Sequence, residues 1–81
     1  MNIIYKVLDP SDTVKVRFYT RALRLIMEES LYPSGAGMNK GSIQADLFKA
    51  FSNGIYFYEV VSRDIKGAEK SGVINKVIIL R

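Results

Sequence analysis

Residues 52–61, SNGIYFYEVV, are the part of this sequence that most narrows the folds open to it. The pair Asn53-Gly54 supplies the positive φ that tight hairpin turns require. Ile55 and three aromatic residues follow directly, and such residues are enriched in strands because they pack well on a pleated surface. We therefore predict a tight turn that leads into the central strand of a small all-β domain.

Residues 13–21 show the most regular alternation of apolar and polar side chains in the chain. An alternation with period two places successive side chains on opposite faces of a strand. We expect one face to be buried and the other to be solvated, as in an antiparallel sheet. The buried face would hold Val14, Val16 and Phe18, and the solvated face Lys15, Arg17, Tyr19 and Arg21.

The remaining segments divide into further strands and loops. Strands are predicted at residues 2–8, 55–63 and 73–80, with a weaker one at 42–47, where Ile43, Ala45 and Leu47 alternate. Loops are predicted at 9–12, 32–41 and 64–72, which contain proline, glycine or Asx residues. Residues 22–31, ALRLIMEESL, fit either a hairpin partner of the second strand or a short helix.

Six or seven short strands, with turn signals about every ten residues, are typical of a β-sandwich or barrel. The closing segment VINKVIIL is too apolar for an open, solvated edge, where it would recruit other chains. We expect it to pair with residues 55–63 across the 64–72 loop. The predicted core consists of Val14, Val16, Phe18, Tyr56, Tyr58, Val77 and Ile79.

The composition argues against catalysis and against a bound cofactor or metal. The 81 residues suffice for one domain, residues 1–81, and contain neither cysteine nor histidine. Disulfides and thiolate metal sites are thereby impossible, and the commonest general base is missing. Glu28 and Glu29 would face opposite sides of a strand, and Asp9 and Asp12 are best explained as turn-forming residues. The loop SGAGMNKGS lacks the order of a phosphate-binding loop and is expected to be flexible.

A net charge of +4 raises the possibility of an anionic partner. The twelve basic residues are spread along the chain, which is typical of a solvated surface. The alternative interpretation is a small basic β-domain that binds nucleic acid through a sheet face made of Lys15, Arg17, Tyr19 and Arg21. A carbohydrate-binding module that uses exposed aromatic residues is a third hypothesis, although the chain lacks tryptophan.

Three segments, in order, resemble the Ig-like C-terminal domain known from the flagellar hook-capping protein and from many secreted bacterial proteins. They are NIIYKVLDPSDTVKVRFYT at the start, NGIYFYEV in the middle and KVIILR at the end. The sorting domains that end cargo of the type IX secretion system have the same layout. The resemblance implies an antiparallel Ig-like or fibronectin type III-like sandwich of six to seven strands without an active site.

The same resemblance implies a function and a location. The chain would be a non-catalytic C-terminal module, acting as a spacer, docking or sorting domain of a larger secreted or envelope protein of bacteria. Its partners would be other domains of the parent chain or an assembly or secretion partner. No apolar run approaches the ~20 residues that span a bilayer, and the first ten residues do not resemble a signal peptide. A signal is therefore expected upstream.

Overall fold

The computed structural model describes residues 2–9, 11–72 and 74–80, except for the side chains of residues 45 and 47. Within them lie seven strands: β1 (Asn2–Val7), β2 (Thr13–Tyr19), β3 (Leu25–Leu31), β4 (Gly37–Ser42), β5 (Gly54–Arg63), β6 (Glu69–Ser71) and β7 (Asn75–Ile79). A 3₁₀ helix, Ala45–Phe48, connects β4 to β5. None of these described residues forms a helix long and apolar enough to cross a membrane.

The strands form two antiparallel sheets. One contains β1 and β4, and the other has the order β3-β2-β5-β6, with β7 also paired to β5. β6 pairs with residues 61–63 of β5 and β7 with residues 54–58, so the two short strands follow each other along one side of β5. The predicted all-β antiparallel sandwich of six to seven strands is confirmed, and so is the central position of residues 55–63.

This strand order corresponds to an immunoglobulin-type sandwich. β1 and β4 take the places of strands B and E, and β3, β2, β5 and β6–β7 those of C′, C, F and G. The hydroxyl of Tyr56, near the start of β5, donates a hydrogen bond of 2.8 Å to the carbonyl of Ser52. Such a tyrosine at the corner before strand F is a hallmark of these domains. The place beside β1 that strand A takes in those domains is not filled by a described residue.

The core lies between the sheets and is centred on one face of β2. Phe18 and Val16 have no exposed surface, and the ring of Phe18 lies 5.2 Å from that of Phe48. Edge-on packing of this kind is favourable for aromatic rings. The buried cluster consists of Ile3, Tyr5, Val7, Val14, Val16, Phe18, Leu31, Ile43 and Phe51.

The prediction of the core was correct for its centre and incomplete at its margins. Val14, Val16 and Phe18 are buried, and Tyr56, Tyr58 and Ile79 are partly buried and pack against them. Val77 is half-buried but does not belong to the cluster. The contribution of β1 was missed, because alternation along residues 2–8 does not reveal which of two apolar rows faces inward.

Within the ambiguous segment 22–31, residues 25–31 form the strand β3, residues 22–24 belong to the turn before it, and no helix forms. β3 pairs with β2 in antiparallel register, with Val14 opposite Leu31 and Phe18 opposite Met27. The pairing shifts by one residue between Phe18 and Tyr19. In the turn between these strands Leu23 has a φ of 62°, a left-handed conformation that is costly for a residue with a Cβ atom.

Two predictions for residues 32–47 were wrong. Residues 37–41, predicted as loop, form β4 together with Ser42, and β4 pairs with β1 from Asn2–Ser42 to Val7–Gly37. Asn39, 9% exposed, accepts from the amide of Ser34 and donates to the carbonyls of Gly35 and Gly37, which orders the preceding turn. The strand predicted at residues 42–47 is replaced by the 3₁₀ helix. Its predicted side-chain alternation at residues 45 and 47 lies outside the described side chains.

The closing strand pairs as predicted but lies at an edge, contrary to prediction. Ile55 is opposite Ile78 and Tyr58 is opposite Asn75. No described strand lies beyond β7, and Ile78 is 56% exposed. The expected 64–72 loop contains β6, so the turn is shortened to residues 64–68, and residue 73 lies outside the described residues. β7 fits the edge because it is only five residues long and carries a lysine, Lys76.

The pair Asn53-Gly54 does not close a hairpin. It follows the 3₁₀ helix and leads the chain from one sheet to the other, since β4 and β5 belong to different sheets. As predicted, the pair leads directly into the central strand, and Gly54 has a positive φ of 153°. A turn signal specifies the local backbone and not which strands it joins.

Candidate interaction surfaces

Three of the four residues proposed for a binding face share the outer face of the five-stranded sheet. Lys15, Arg17 and Tyr19 alternate along β2 with the buried Val14, Val16 and Phe18. Arg21 lies beyond the end of β2 in the exposed turn. The structure thus brings Lys15, Arg17 and Tyr19 together in one row and leaves Arg21 outside it.

Glu28 on β3 forms ion pairs with both basic residues of this row. The register places Arg17 opposite Glu28. One carboxylate oxygen lies 2.6 Å from Nε of Arg17, and the other lies 3.2 Å from Nζ of Lys15. The hydrogen bond from Arg17, followed by that from Lys15, lowers the pKa of Glu28. Glu28 therefore remains charged over a wider range of pH than a free glutamate.

A second acidic residue contacts this row from the β6 side, on the same face of the sheet. Glu69 on β6 lies opposite Arg63 on β5 and forms an ion pair with it. An oxygen of Glu69 also lies 3.5 Å from Arg17. The hydrogen bond from Arg63 is the main cause that lowers the pKa of Glu69. Arg17 is thus held between carboxylates from two different strands.

Glu59 forms the third acidic centre of the face. The hydroxyls of Ser71 and Tyr19 both donate hydrogen bonds to its carboxylate. The bond from Ser71, followed by that from Tyr19, is the main cause that lowers the pKa of Glu59. The bond to Glu59 is in turn the main cause that raises the pKa of Tyr19. The Tyr19 hydroxyl is consequently held by the protein and turned toward an acid.

The network of paired charges on the outer face is close to electrically neutral. Within its ion-pair network, three cations (Lys15, Arg17, Arg63) meet two anions (Glu28, Glu69), and Glu59 adds a third negative charge. A phosphate group would have to displace these carboxylates before it could contact Arg17. The sequence contained part of this signal, since a hairpin of residues 13–31 brings acidic residues beside basic ones, but the partners depend on the register.

A wide cavity opens at one end of the sandwich, where three connections meet. It has a volume of about 740 Å³ and is lined by the connections before β2, after β3 and between β5 and β6, and by strand residues that include Lys15, Arg17, Arg63 and Glu69 of the outer face. Its rim includes two apolar side chains with almost complete exposure, Tyr32 at 89% and Ile65 at 84%. Sequence reasoning did not find this cavity, because the three connections are far apart in the chain.

A second, narrower cavity lies between the two sheets on the side of β6 and β7. This groove has a volume of about 310 Å³. Residues of β1 form one wall, and β6, Gly72 and Asn75 form the other. The floor contains Val14 and Val60 from the inner face of the larger sheet. Sequence reasoning did not find this groove, since its walls depend on how the sheets are stacked.

The other proposed turn and loop features have structural roles. Asp9 accepts hydrogen bonds from the amide and hydroxyl of Ser11, and the amide of Asp12 bonds to the carbonyl of Asp9, as expected of turn-forming residues. The amide of Ser34 is already bonded to Asn39, so the 34–42 segment offers no open phosphate cradle there. Within the part of the chain that the structure describes, no three acidic residues are grouped as metal ligands.

Comparison with protein-family models, with curated proteins and with solved structures finds no match to this chain.

Proposed function

We propose that this chain is a non-catalytic structural module that acts as a spacer, docking or sorting domain of a larger protein. The observation that carries the proposal is the mutual pairing of the charged groups on the outer face. Arg17 is held between Glu28 and Glu69, and Tyr19 is bonded to Glu59. Groups committed to each other in this way stabilise a sheet and are not presented to a substrate or a polyanion.

The proposed setting is the C-terminal part of a secreted or envelope protein of bacteria. Its support is the resemblance of the first two strands, the NGIYFYEV segment and the closing strand to Ig-like C-terminal domains. The strand order and the bond from Tyr56 to the carbonyl of Ser52 fit an immunoglobulin-type sandwich, which is common in modules of extracellular proteins. Because one fold serves many functions, the setting itself requires an experimental test.

Binding of nucleic acid through Lys15, Arg17, Tyr19 and Arg21 is the competing function. Phosphate contacts release condensed counterions, so such binding weakens steeply as salt rises. The decisive experiment is a fluorescence-anisotropy titration of single-stranded RNA and duplex DNA at about 50 mM and about 200 mM salt. We expect no salt-sensitive binding at micromolar protein, because Glu28 and Glu69 already occupy the basic groups.

A pair of variants makes this titration a test of the pairing itself. Glu28→Gln combined with Glu69→Gln frees the three cations and is expected to create weak, salt-sensitive binding. Asp12→Asn combined with Asp46→Asn changes the net charge equally elsewhere and is expected to leave binding absent. Micromolar, salt-sensitive binding by the unaltered chain, lost on Arg17→Gln, would instead establish the nucleic-acid function.

The sorting role is separable from a passive spacer by a fusion experiment. A folded reporter would carry this chain at its C-terminus in a bacterium that has a type IX secretion system. Sorting predicts that the reporter reaches the cell surface or the medium. It also predicts that the opposite order of the fusion, with this chain before the reporter, prevents this export. A reporter retained inside the cells in both orders would limit the proposal to a spacer or docking role.

A further inference from the structure

The smaller sheet leaves one corner of the larger sheet uncovered. Lys70 on β6 is opposite Ser62, which is itself opposite the buried Val14, so all three share the inner face. Despite this position Lys70 is exposed and Ser62 is half-buried. The larger sheet has β6 and β7 at this side, whereas the two-stranded sheet ends at β1. Among the described residues, no strand of the smaller sheet therefore lies over this corner.

The groove at this corner is bounded by two open strand edges. Among the described residues β1 pairs only with β4, and β6 and β7 pair only with β5. In an antiparallel pair, alternate residues direct their amide and carbonyl groups away from the partner strand. The edge of β1 that faces the groove thus offers backbone donors and acceptors that no described strand pairs with. An extended segment placed here could complete either sheet, as in β-strand addition.

The floor of the groove is apolar and belongs to the core. Tyr5 and Val14 are 5% and 2% exposed, and Val60 is partly buried beside them. Ile4 and Leu8 form part of the β1 wall and are 69% and 67% exposed. A volume of about 310 Å³ has room for several aliphatic side chains. Burial of this surface by an apolar side chain would be favourable by about 25 cal/mol per Å².

The charged residues that line the groove are all basic. Lys6 lines one wall and Lys70 the other, and no acidic residue is among the described residues that line it. Neither lysine forms an ion pair with a described residue, in contrast to the paired cations of the outer face. Two lysines on opposite walls of a groove with an apolar floor favour an occupant with negative charges beside its apolar side chains.

We propose that this groove binds an extended peptide segment in which apolar and acidic residues alternate. The segment lies between β1 and β6–β7, beside β1 at the position that strand A has in immunoglobulin-type domains. Its backbone pairs with an open edge, its apolar side chains rest on Tyr5, Val14 and Val60, and its carboxylates approach Lys6 and Lys70. This inference rests on the proposed docking function and names the chemical class of its partner.

The test uses the full chain, labelled with ¹⁵N, and a capped peptide of about six residues in which valine and glutamate alternate, the usual length of a strand. We expect amide shift changes confined to β1 and to residues 70–75. A peptide of the same sequence with N-methylated backbone amides is expected to bind at least about tenfold more weakly, because strand pairing depends on those amides. Equal binding of both peptides would overturn strand addition.

Charge reversal supplies the matched protein variants. Lys6→Glu combined with Lys70→Glu is expected to weaken binding of the valine–glutamate peptide about three- to tenfold. The same variant is expected to bind a peptide that alternates valine and lysine more tightly than the unaltered chain does. Lys40→Glu combined with Lys66→Glu alters the net charge equally outside the groove and is expected to leave both affinities unchanged. Equal loss in the two variants would show that overall charge, not the groove, attracts the peptide.

Two other results would contradict the proposal. Shift changes at β1 and β6–β7 that appear on raising the concentration of protein alone would show that a second copy fills the groove. Absence of shift changes with millimolar peptide would show that it is not a peptide site. Neither result affects the proposed non-catalytic function. That function is contradicted if the unaltered chain binds nucleic acid in a salt-sensitive way and Arg17→Gln abolishes the binding.

Discussion

Arg17 on β2 lies directly opposite Glu28 on β3, and its Nε atom is 2.6 Å from the glutamate's carboxylate. The pair lies on the outer face of the five-stranded sheet, where no second sheet covers it. It is extended on one side by Lys15 and on the other by Glu69. A row that looks like a basic binding face in the sequence is, in the folded chain, a network of opposite charges.

Acidification is expected to destabilise the fold through this network. Hydrogen bonds from Ser71 and Tyr19 lower the pKa of Glu59 in the folded state. A lowered folded-state pKa gives a stabilising contribution that is complete above the unfolded value of about 4.3 and is lost as pH falls through the folded value. Urea unfolding of Glu59→Gln should therefore show a smaller loss of stability below about pH 4.3 than the unaltered chain.

Asp46→Asn is the control for this measurement, since it removes a carboxylate on the 3₁₀ helix, away from the outer face. We expect it to retain the acid sensitivity of the unaltered chain. A Glu59→Gln chain that loses stability as steeply on acidification as the unaltered chain would show that Glu59 is not one of the responsible groups.

Replacement of Leu23 should stabilise the protein. Leu23 has a φ of 62° and is 58% exposed, so its side chain gains little from burial while its backbone is strained. Asparagine tolerates this conformation better, and we expect Leu23→Asn to raise the free energy of unfolding by about 0.5–1 kcal/mol. Leu25→Asn, at a similarly exposed position within β3, should not stabilise. A decrease in stability for Leu23→Asn would contradict the strained turn.

Gly41 is required by the close approach of β4 to its neighbours. A Cβ atom at this position would lie 2.9 Å from Cδ2 of Leu31 and 3.3 Å from Cε1 of Tyr5, both buried residues. At Gly35 a Cβ atom would have no neighbour within 4 Å. We expect Gly41→Ala to be less stable than Gly35→Ala by about 1 kcal/mol in urea unfolding. Equal stability of the two variants would contradict the close approach of β4 to Leu31 and Tyr5.

The hydroxyl of Tyr56 is expected to contribute to the corner between the sheets. Tyr56→Phe removes the hydrogen bond to the carbonyl of Ser52 and should cost about 0.5–1.5 kcal/mol. Tyr58→Phe, two residues along the same face, is the matched control and should cost less. If both substitutions have the same effect on thermal unfolding, the bond of Tyr56 is not a structural element of the corner.

The strands with strong local patterns could be predicted from the sequence. β2 and β5 alternate or are rich in aromatic and β-branched residues, and they form the centre of the larger sheet. β4 could not be predicted, because GMNKGS has two glycines and no β-branched residue. It becomes a strand through pairing with β1 and through the hydrogen bonds of Asn39, both of which are tertiary interactions.

The candidate surfaces were less predictable than the fold. Alternation correctly grouped Lys15, Arg17 and Tyr19 on one face, but the role of Glu28 and Glu69 depends on register across two strands. The groove was harder still to predict, because it depends on how one sheet stacks on the other. The edge position of β7 was missed because hydrophobicity was expected to prevent it, whereas short length and Lys76 allow it.

Amide hydrogen exchange of the free chain tests the central claim most directly, namely that β2 and β5 form the interior of a sheet while β1 and β6–β7 have open edges. The account predicts the slowest exchange for β2 and β5, because both lie between paired strands. Along β1, β6 and β7, alternate amides should exchange much faster than their neighbours. Uniform protection along β1 and β7, or rapid exchange throughout β5, would contradict the account.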